Sequence, residues 1–532
     1  MCNADIFLHM RRIAIGTLSL AALLCLAAKP KPVKVHEKMP DRPPSGGRVR
    51  VETRSWGSSW DWNQDTGVLP PSVIGAIQRG LYRVGASGGL EKDLAQSETA
   101  SADALLWTFR IRPDVKWSDG TPLKAQHFVD GVLRACAPEV PKLPKSLRNI
   151  EGATAYHSRQ SPTPPSVRAT SERTFEVRLL RPDPLFPVKW LETHLLPARG
   201  DLAEAHAKSY GFEPEKMAFL GRMKLQDSRP GLRTLMVPNP VHDQPSTVTR
   251  IELWHTPDPK QARNLFDRGH LDLSLDPMPG ARSGKPLILE TQNLVALVPA
   301  SDRARNPAAS LAISTAIDRR SLPTLAGSVD WTPPLLWQLQ QIGEPPISAG
   351  VDTVPLTGNA ELARERLKQA GGFSKARPII IASALPSSWD EALVAAIQRQ
   401  LIKSLGIPVR MVNLKGLAGT KPDWILRTWN RSAWSIEIQL EEITHDPSWR
   451  EWNEIPLSDP RRTSLYVEKT RAALMERAQL IPLGFELAEL RVKSYVITPG
   501  VAPDGRVELA GLSYDPAALI RPRRSPPPKK KP

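Results

Sequence analysis

Cysteine is nearly missing from this chain. The three present lie at positions 2, 25 and 136, and the first two fall in or before a segment that reads as an export signal. A processed chain therefore keeps Cys136 alone, with no partner for an internal disulfide. Membrane-length apolar runs are missing too: the stretch 13–26 is shorter than the roughly 20 residues a helix needs to cross a bilayer. No HExxH, no CxxC and no Gly-rich phosphate loop occurs, which removes the usual signals for a zinc protease, a redox dithiol and a nucleotide site. One Gly-x-Ser-x-Gly string, Gly85-Ala86-Ser87-Gly88-Gly89, is followed by a strand pattern at Leu94-Ala95-Gln96-Ser97 and no helix. A hairpin loop explains its small residues better than a strained nucleophile turn. His242-Asp243 and His445-Asp446 read as turns, the second before Pro447. Cys136 follows the apolar face of a helix and reads as a buried structural thiol, since no activating partner can be identified for it. The expectation is a protein that is not an enzyme and has no metal and no cofactor.

What is plentiful is positive charge, formally +16, part of it in the ends: Lys29, Lys31, Lys34 and Lys38, and the run 521–532. Such tails read as solvated segments, with attraction to anionic polymers as the sharper alternative. From Met10, Arg11-Arg12 form a basic start, 13–26 an apolar core and Ala27-Ala28 a small-residue cleavage site, so 1–28 reads as a signal peptide. Cys25 leaves lipid anchoring open, although Leu24 stands where lipoproteins carry a small residue. Residues 29–47, rich in Pro and Lys, read as a linker, and 521–532 as a basic Pro-rich tail.

The most informative segment is 107–134, WTFRIRPDVKWSDGTPLKAQHFVDGVLR. Residues 107–112 alternate as a half-buried strand, and Asp119-Gly120 supplies a turn. Thr121 then reads as a helix cap, with Pro122 at the first position and Phe128, Val129, Val132 and Leu133 at helical spacing. This string resembles the signature of the peptide- and nickel-binding type of bacterial extracellular solute-binding proteins, family 5, which feed ABC importers. The resemblance continues collinearly: Gly80-Leu81-Tyr82 and Leu94-Ala95-Gln96-Ser97 upstream, then a helix from Pro257-Asp258 to Gly269 followed by Leu271-Asp272, 311–319 (LAISTAIDR), the helix 360–371, the helix-turn-strand 400–409, and 478–483.

That resemblance implies an α/β, two-lobed periplasmic-binding-protein fold (type II, cluster C-like) with mixed sheets and an interlobe ligand cleft. Lobe one is expected over 48–280, lobe two over 281–485, and a return to lobe one over 486–520. The implied function is extracytoplasmic capture of a peptide or peptide-like ligand for an ABC permease, by a monomer with no nucleic-acid partner. The alternative is a diverged envelope protein acting as ligand sensor or interaction scaffold. Closure of the lobes over ligand is the implied mechanism, driven by contacts more favourable in the closed state.

Tryptophan, 15 residues, is nearly half of all aromatics. Two clusters lie where family members have ligand-proximal loops: Trp56, Trp60 and Trp62, and Trp429 and Trp434. Their indoles either stack on ligand or pack the core. The expected ligand-binding set is Trp60, Trp62, Arg427, Trp429, Asn430, Ser432 and Trp434. Ser432 stands where many peptide-binding members place an Asp for the ligand's amine, and a buried ammonium without a carboxylate is costly. Gly221-Arg222-Met223-Lys224 replaces a Gly-Pro-Tyr segment, and with Arg427 and Arg431 it points to an anionic group on the ligand. The region 424–454 is shorter than the family pattern, which puts a trimmed second lobe in view.

Overall fold

The computed structural model describes residues 47–515, except 58, 65–68, 86–89, 279, 323–330, 333–355, 385–389, 414–420, 431–447, 457–458 and 503–505. The signal-like segment, most of the linker, the basic tail, the small residues at 86–89, His445-Asp446, Arg431, Ser432 and Trp434 lie outside the described residues.

The first strand, Arg48–Thr53, runs parallel to Arg250–His255 on one edge and to Leu273–Ser274 on the other, and its residues from Val49 onward are buried on both faces. That burial would strand the guanidinium of Arg50, and Asp272 answers it. Its Oδ2 accepts from Arg50 N at 2.7 Å and Nε at 2.9 Å, its Oδ1 from Arg50 Nη2 at 2.6 Å and from the Tyr495 hydroxyl at 2.6 Å. One buried carboxylate thus ties the first strand, the strand after the helix Pro259–Asp267 and the C-terminal segment. That helix is capped by Asp258, which accepts from Lys260 N, and it is followed by Gly269 at φ +80°.

The strand Leu106–Ile111 turns Trp107, Phe109 and Ile111 to one face. It pairs with Ala95–Ala100 and Thr174–Arg178, and Val167–Ser171 completes a four-stranded antiparallel sheet. The helix Ala125–Ala135 packs on this sheet, with Phe128 stacked 5.3 Å from Phe175 and Phe109 edge-on to Trp190 at 5.3 Å. The turn is as expected: Gly120 takes φ +89° and Thr121 N donates to Asp119 Oδ1 at 3.0 Å. The helix start is not. Trp117 N donates to the Thr121 carbonyl at 2.8 Å and Leu123 N to Val115 at 2.9 Å, so 121–123 folds back on 115–117 as a short hairpin. The Thr121 carbonyl and the Ala125 N–H, which a helix from Thr121 would pair with each other, go instead to Trp117 N and to the Glu172 carbonyl at 2.8 Å each. The helix begins only at Ala125, where His127 Nδ1 accepts from Lys124 N at 3.0 Å.

The largest sheet has eleven strands. Its order is Val409–Asn413, Ile379–Ser383, Trp424–Asn430, Lys285–Pro299, Ile481–Val492, Leu273–Ser274, Arg48–Thr53, Arg250–His255, Arg233–Pro238 and Met223–Arg229, with Trp331–Thr332 added on Ile481–Val492. Among the described residues two large cores form along it, beside a small cluster of Ala262, Phe266, Leu271 and Met278. The first gathers Val49, Val51, Trp62, Phe109, Ile251 and Leu273 with Leu490, Val507 and Leu512 from the chain's end. The second gathers Val295, Leu297, Ile313, Ile381, Ile397, Trp424 and Ile481. In the second, the helices Pro307–Ala316, Ala360–Ala370 and Asp390–Leu405 supply the apolar faces, and Gly371 at φ +66° and Gly406 at φ +73° follow the last two helices. The long antiparallel pair Lys285–Pro299 and Ile481–Val492 joins the cores, and its register shifts between Glu290 and Leu294. No helix among the described residues is long and apolar enough to cross a membrane.

Candidate functional site

Each half of the sheet contains three parallel strands, and in open α/β sheets ligands bind outside the carboxyl ends of such strands. In the first half these ends are Thr53, His255 and Ser274, and the chain continues from them into Arg54, Ser55, Trp56, Thr256 and Asp276. Trp56 is half-buried, with its ring centroid 5.4 Å from His255 and 5.8 Å from Trp60. His255 Nε2 lies 3.1 Å from the Arg54 carbonyl and Nδ1 3.2 Å from that of Gly231. Asp276 Oδ2 accepts from Arg54 N at 2.6 Å and from the Thr53 hydroxyl at 3.3 Å. Beneath them Glu52 is fully buried, its Oε2 2.6 Å from Ser274 Oγ. Burial first, and then the Asp276 charge, push the Glu52 carboxyl up to about 8 against the pull of Ser274 and Arg54.

Trp60 and Trp62, expected at the ligand, are 5% and 1% exposed and belong to the first core. Their N–H groups are already taken, by Ser228 Oγ at 2.8 Å and by the Pro197 carbonyl at 3.2 Å. The burial of two large rings with both donors satisfied gives them a packing role, and leaves Trp56 as the indole at the strand end.

In the second half, Ile379–Ser383 runs parallel to Val409–Asn413 and to Trp424–Asn430. Asp423 sets the last strand: the Arg303 fork meets its two oxygens at 2.6 Å each, with Ser301 Oγ at 2.9 Å and Ile380 N at 2.9 Å. Arg427, Trp429 and Asn430 are thereby placed on one strand, opposite Ala296, Leu294 and Asn293 of Lys285–Pro299. Arg427 is exposed. Arg222, read as a ligand cation, is engaged elsewhere: Nη2 donates to the Pro245 carbonyl at 2.8 Å and Nη1 lies 3.6 Å from Glu508.

Sequence reasoning missed Glu52, Arg54, His255 and Asp276. The run Ser274-Leu275-Asp276-Pro277 after a short strand carried a signal, since Asp before Pro marks a turn at a strand end. Nothing local marked Glu52, whose burial comes from strands distant in sequence.

Fold and site together define a two-lobed α/β binding protein. The chain belongs to the bacterial extracellular solute-binding proteins, family 5, whose middle region matches residues 89–450. Among curated proteins it is similar to the dipeptide-binding protein of Lactococcus lactis, 26% identical over 38% of this chain and 38% of that one. It is also similar to the oligopeptide-binding protein OppA of Bacillus subtilis, 32% identical over 27% of each. The sequence matches thus span well under half the length of those two relatives. Among solved structures, the Escherichia coli murein tripeptide binding protein MppA aligns with a TM-score of 0.67 at 18% identity, covering 88% of this chain and 99% of that one. Haemophilus influenzae OppA, solved in complex with RPPGFSPFR, aligns with a TM-score of 0.63 at 19% identity over 88% and 99%. These likenesses show the fold.

Proposed function

We propose that this protein is the extracytoplasmic component of an ABC importer and captures a peptide or peptide-like ligand as a monomer. The observation that carries the reading is one sheet threaded through two large cores, each with a parallel strand set, in a family of solute-binding proteins. Lobe one takes 48–280 and 486–520, and lobe two 281–485. The composition of the two cores supports this division apart from Leu287, which packs against the first core. Arg427, Trp429 and Asn430, followed by Ser432 and Trp434, form the second-lobe side of the ligand site. An extended peptide held mainly through main-chain hydrogen bonds suits such strand ends, because varied side chains are then tolerated. Residues 1–28 act as the export signal and are removed by cleavage after Ala27-Ala28; cleavage before Cys25, with lipid attached there, is the alternative.

Mass spectrometry of material released on denaturing the freshly purified protein tests the ligand class. Peptides or peptide-like molecules in stoichiometric amount are the expected result. A sugar, a metal chelate or a lipid in that amount would overturn the reading.

A further inference from the structure

At the carboxyl end of the first-lobe strands, one cation sits slack between two acids. Arg54 Nε lies 3.9 Å from Glu52 Oε1 and 4.0 Å from Asp276 Oδ1, beyond hydrogen-bonding distance of both. Its Nη2 is turned to the Pro277 carbonyl. Neither Arg54 Nε nor the fully buried Glu52 Oε1 has a hydrogen-bond partner among the described residues. The unpartnered oxygen and Asp276 Oδ1 flank the same Arg54 Nε, and the Asp276 side chain is 22% exposed.

Ser274 can accommodate either protonation state of Glu52. Its Oγ lies 2.6 Å from Glu52 Oε2 and 2.5 Å from the Asp276 carbonyl, and it accepts from Asp276 N at 3.2 Å. A hydroxyl has one hydrogen, and a carbonyl only accepts. The hydroxyl serves one acceptor at a time: with its hydrogen on the carbonyl, Glu52 keeps the 2.6 Å contact by donating its own, and with its hydrogen on Glu52 it holds the carboxylate ionised. Burial favours the neutral form. Among the described residues the charges acting on Glu52 are Asp276 beyond the next strand and Arg54 at the end of its own; His255 on the third strand reaches the Arg54 carbonyl through Nε2, and Arg50, two residues along, is bound to Asp272. With Glu52 neutral, Arg54 and Asp276 balance.

We propose that this end of lobe one is a subsite for a ligand ammonium group, in which Asp276 Oδ1 receives the cation and Glu52 gives up its proton to solvent as the cation enters. One positive charge arrives and one leaves, so both acids end ionised against two cations. The subsite rests on the peptide reading and supplies, from lobe one, a carboxylate that position 432 lacks. Asp276 touches the ligand, and Glu52 is a positioning residue behind it.

Calorimetry of the full chain tests this with an equimolar tripeptide mixture and the same mixture N-acetylated, each in phosphate and in Tris at pH 7. The free-amine mixture is expected to bind about tenfold tighter, the size of one charge-assisted hydrogen bond. Its heat should depend on the buffer as release of about one proton requires. Glu52→Gln should abolish that buffer dependence, and Asp276→Asn the preference for a free amine. Equal binding of the two mixtures, or free-amine binding with no buffer dependence, overturns the subsite and leaves the peptide reading standing. Binding of neither mixture overturns both. The wild-type measurements alone decide between these outcomes, whatever the variants do to folding.

Discussion

His127 shows how one side chain holds a turn and a helix start together. Its Nδ1 accepts from Trp117 Nε1 at 3.0 Å and from Lys124 N at 3.0 Å, so the ring must keep that nitrogen unprotonated. Burial, with the Arg199 charge added, lowers its pKa to about 4. In the unfolded chain the ring titrates near 6.5, so between these values the unfolded state binds the extra proton. Stability is then full above about pH 6.5 and is lost as pH falls toward 4, by about 3 kcal/mol in all. Urea unfolding at pH 7.5 and pH 5 should show about 2 kcal/mol of that loss in the wild type. His127→Gln, whose oxygen can accept without titrating, should flatten it, and an unchanged slope in the variant would assign the loss to another group. At this scale the sequence was least legible. Cys136 is buried as its setting implied, its thiol pushed up to about 12. The tryptophans were ambiguous, because an indole suits a core and a ligand wall equally until its neighbours are known.

The elements were legible wherever local chemistry and tertiary packing agree. Asp258, Gly269, Gly371 and Gly406 mark helix ends by capping and by left-handed backbone, and both effects are written within a few residues. Thr121-Pro122 carried the same kind of signal and lost, since the chain at 115–117 offers competing backbone bonds that only the folded hairpin reveals. The turn before it is held by Asp119, which takes Thr121 N on one oxygen and the Arg199 Nη1 on the other at 2.6 Å. A Cβ on Gly120 would meet nothing within 4 Å, so any substitution there costs backbone strain and no clash. Gly120→Val should lower unfolding free energy by about 1 to 3 kcal/mol. Ligand affinity of the folded fraction should stay unchanged. Lost binding at unchanged stability would make this turn part of the binding site.

At the scale of the whole molecule, the long strands Lys285–Pro299 and Ile481–Val492 are the continuous link between the two cores. Leu287 packs against the first core and Val295 lies in the second, and the register shift between Glu290 and Leu294 falls between them. An irregular ladder there is a natural place for the lobes to bend relative to each other. Small-angle scattering on the protein stripped of bound material and then given peptide should show a smaller radius of gyration with no change in mass. An unchanged profile on saturation would remove lobe closure from the account, and a doubled mass would remove the monomer.

The sequence by itself determined the family and the fold class. Its motifs recur in one order because each is a local device, a cap, a turn or a strand end, and order survives where identity has fallen to 18% against a solved structure. Locally it reads as a strand over 423–426 with Trp429 in the loop beyond, whereas the ladder to Lys285–Pro299 carries the strand through Asn430, because pairing with a distant strand and not local alternation sets where it ends. Only the tertiary structure decided which aromatic rings are buried, where the Asp272 knot closes, and that Glu52, Arg54 and Asp276 meet. Those residues are brought together by parallel pairing of strands more than 200 positions apart, as Glu52 with Ser274 and with Trp254 shows. Burial and proton affinity follow from that meeting, and no window of sequence contains it.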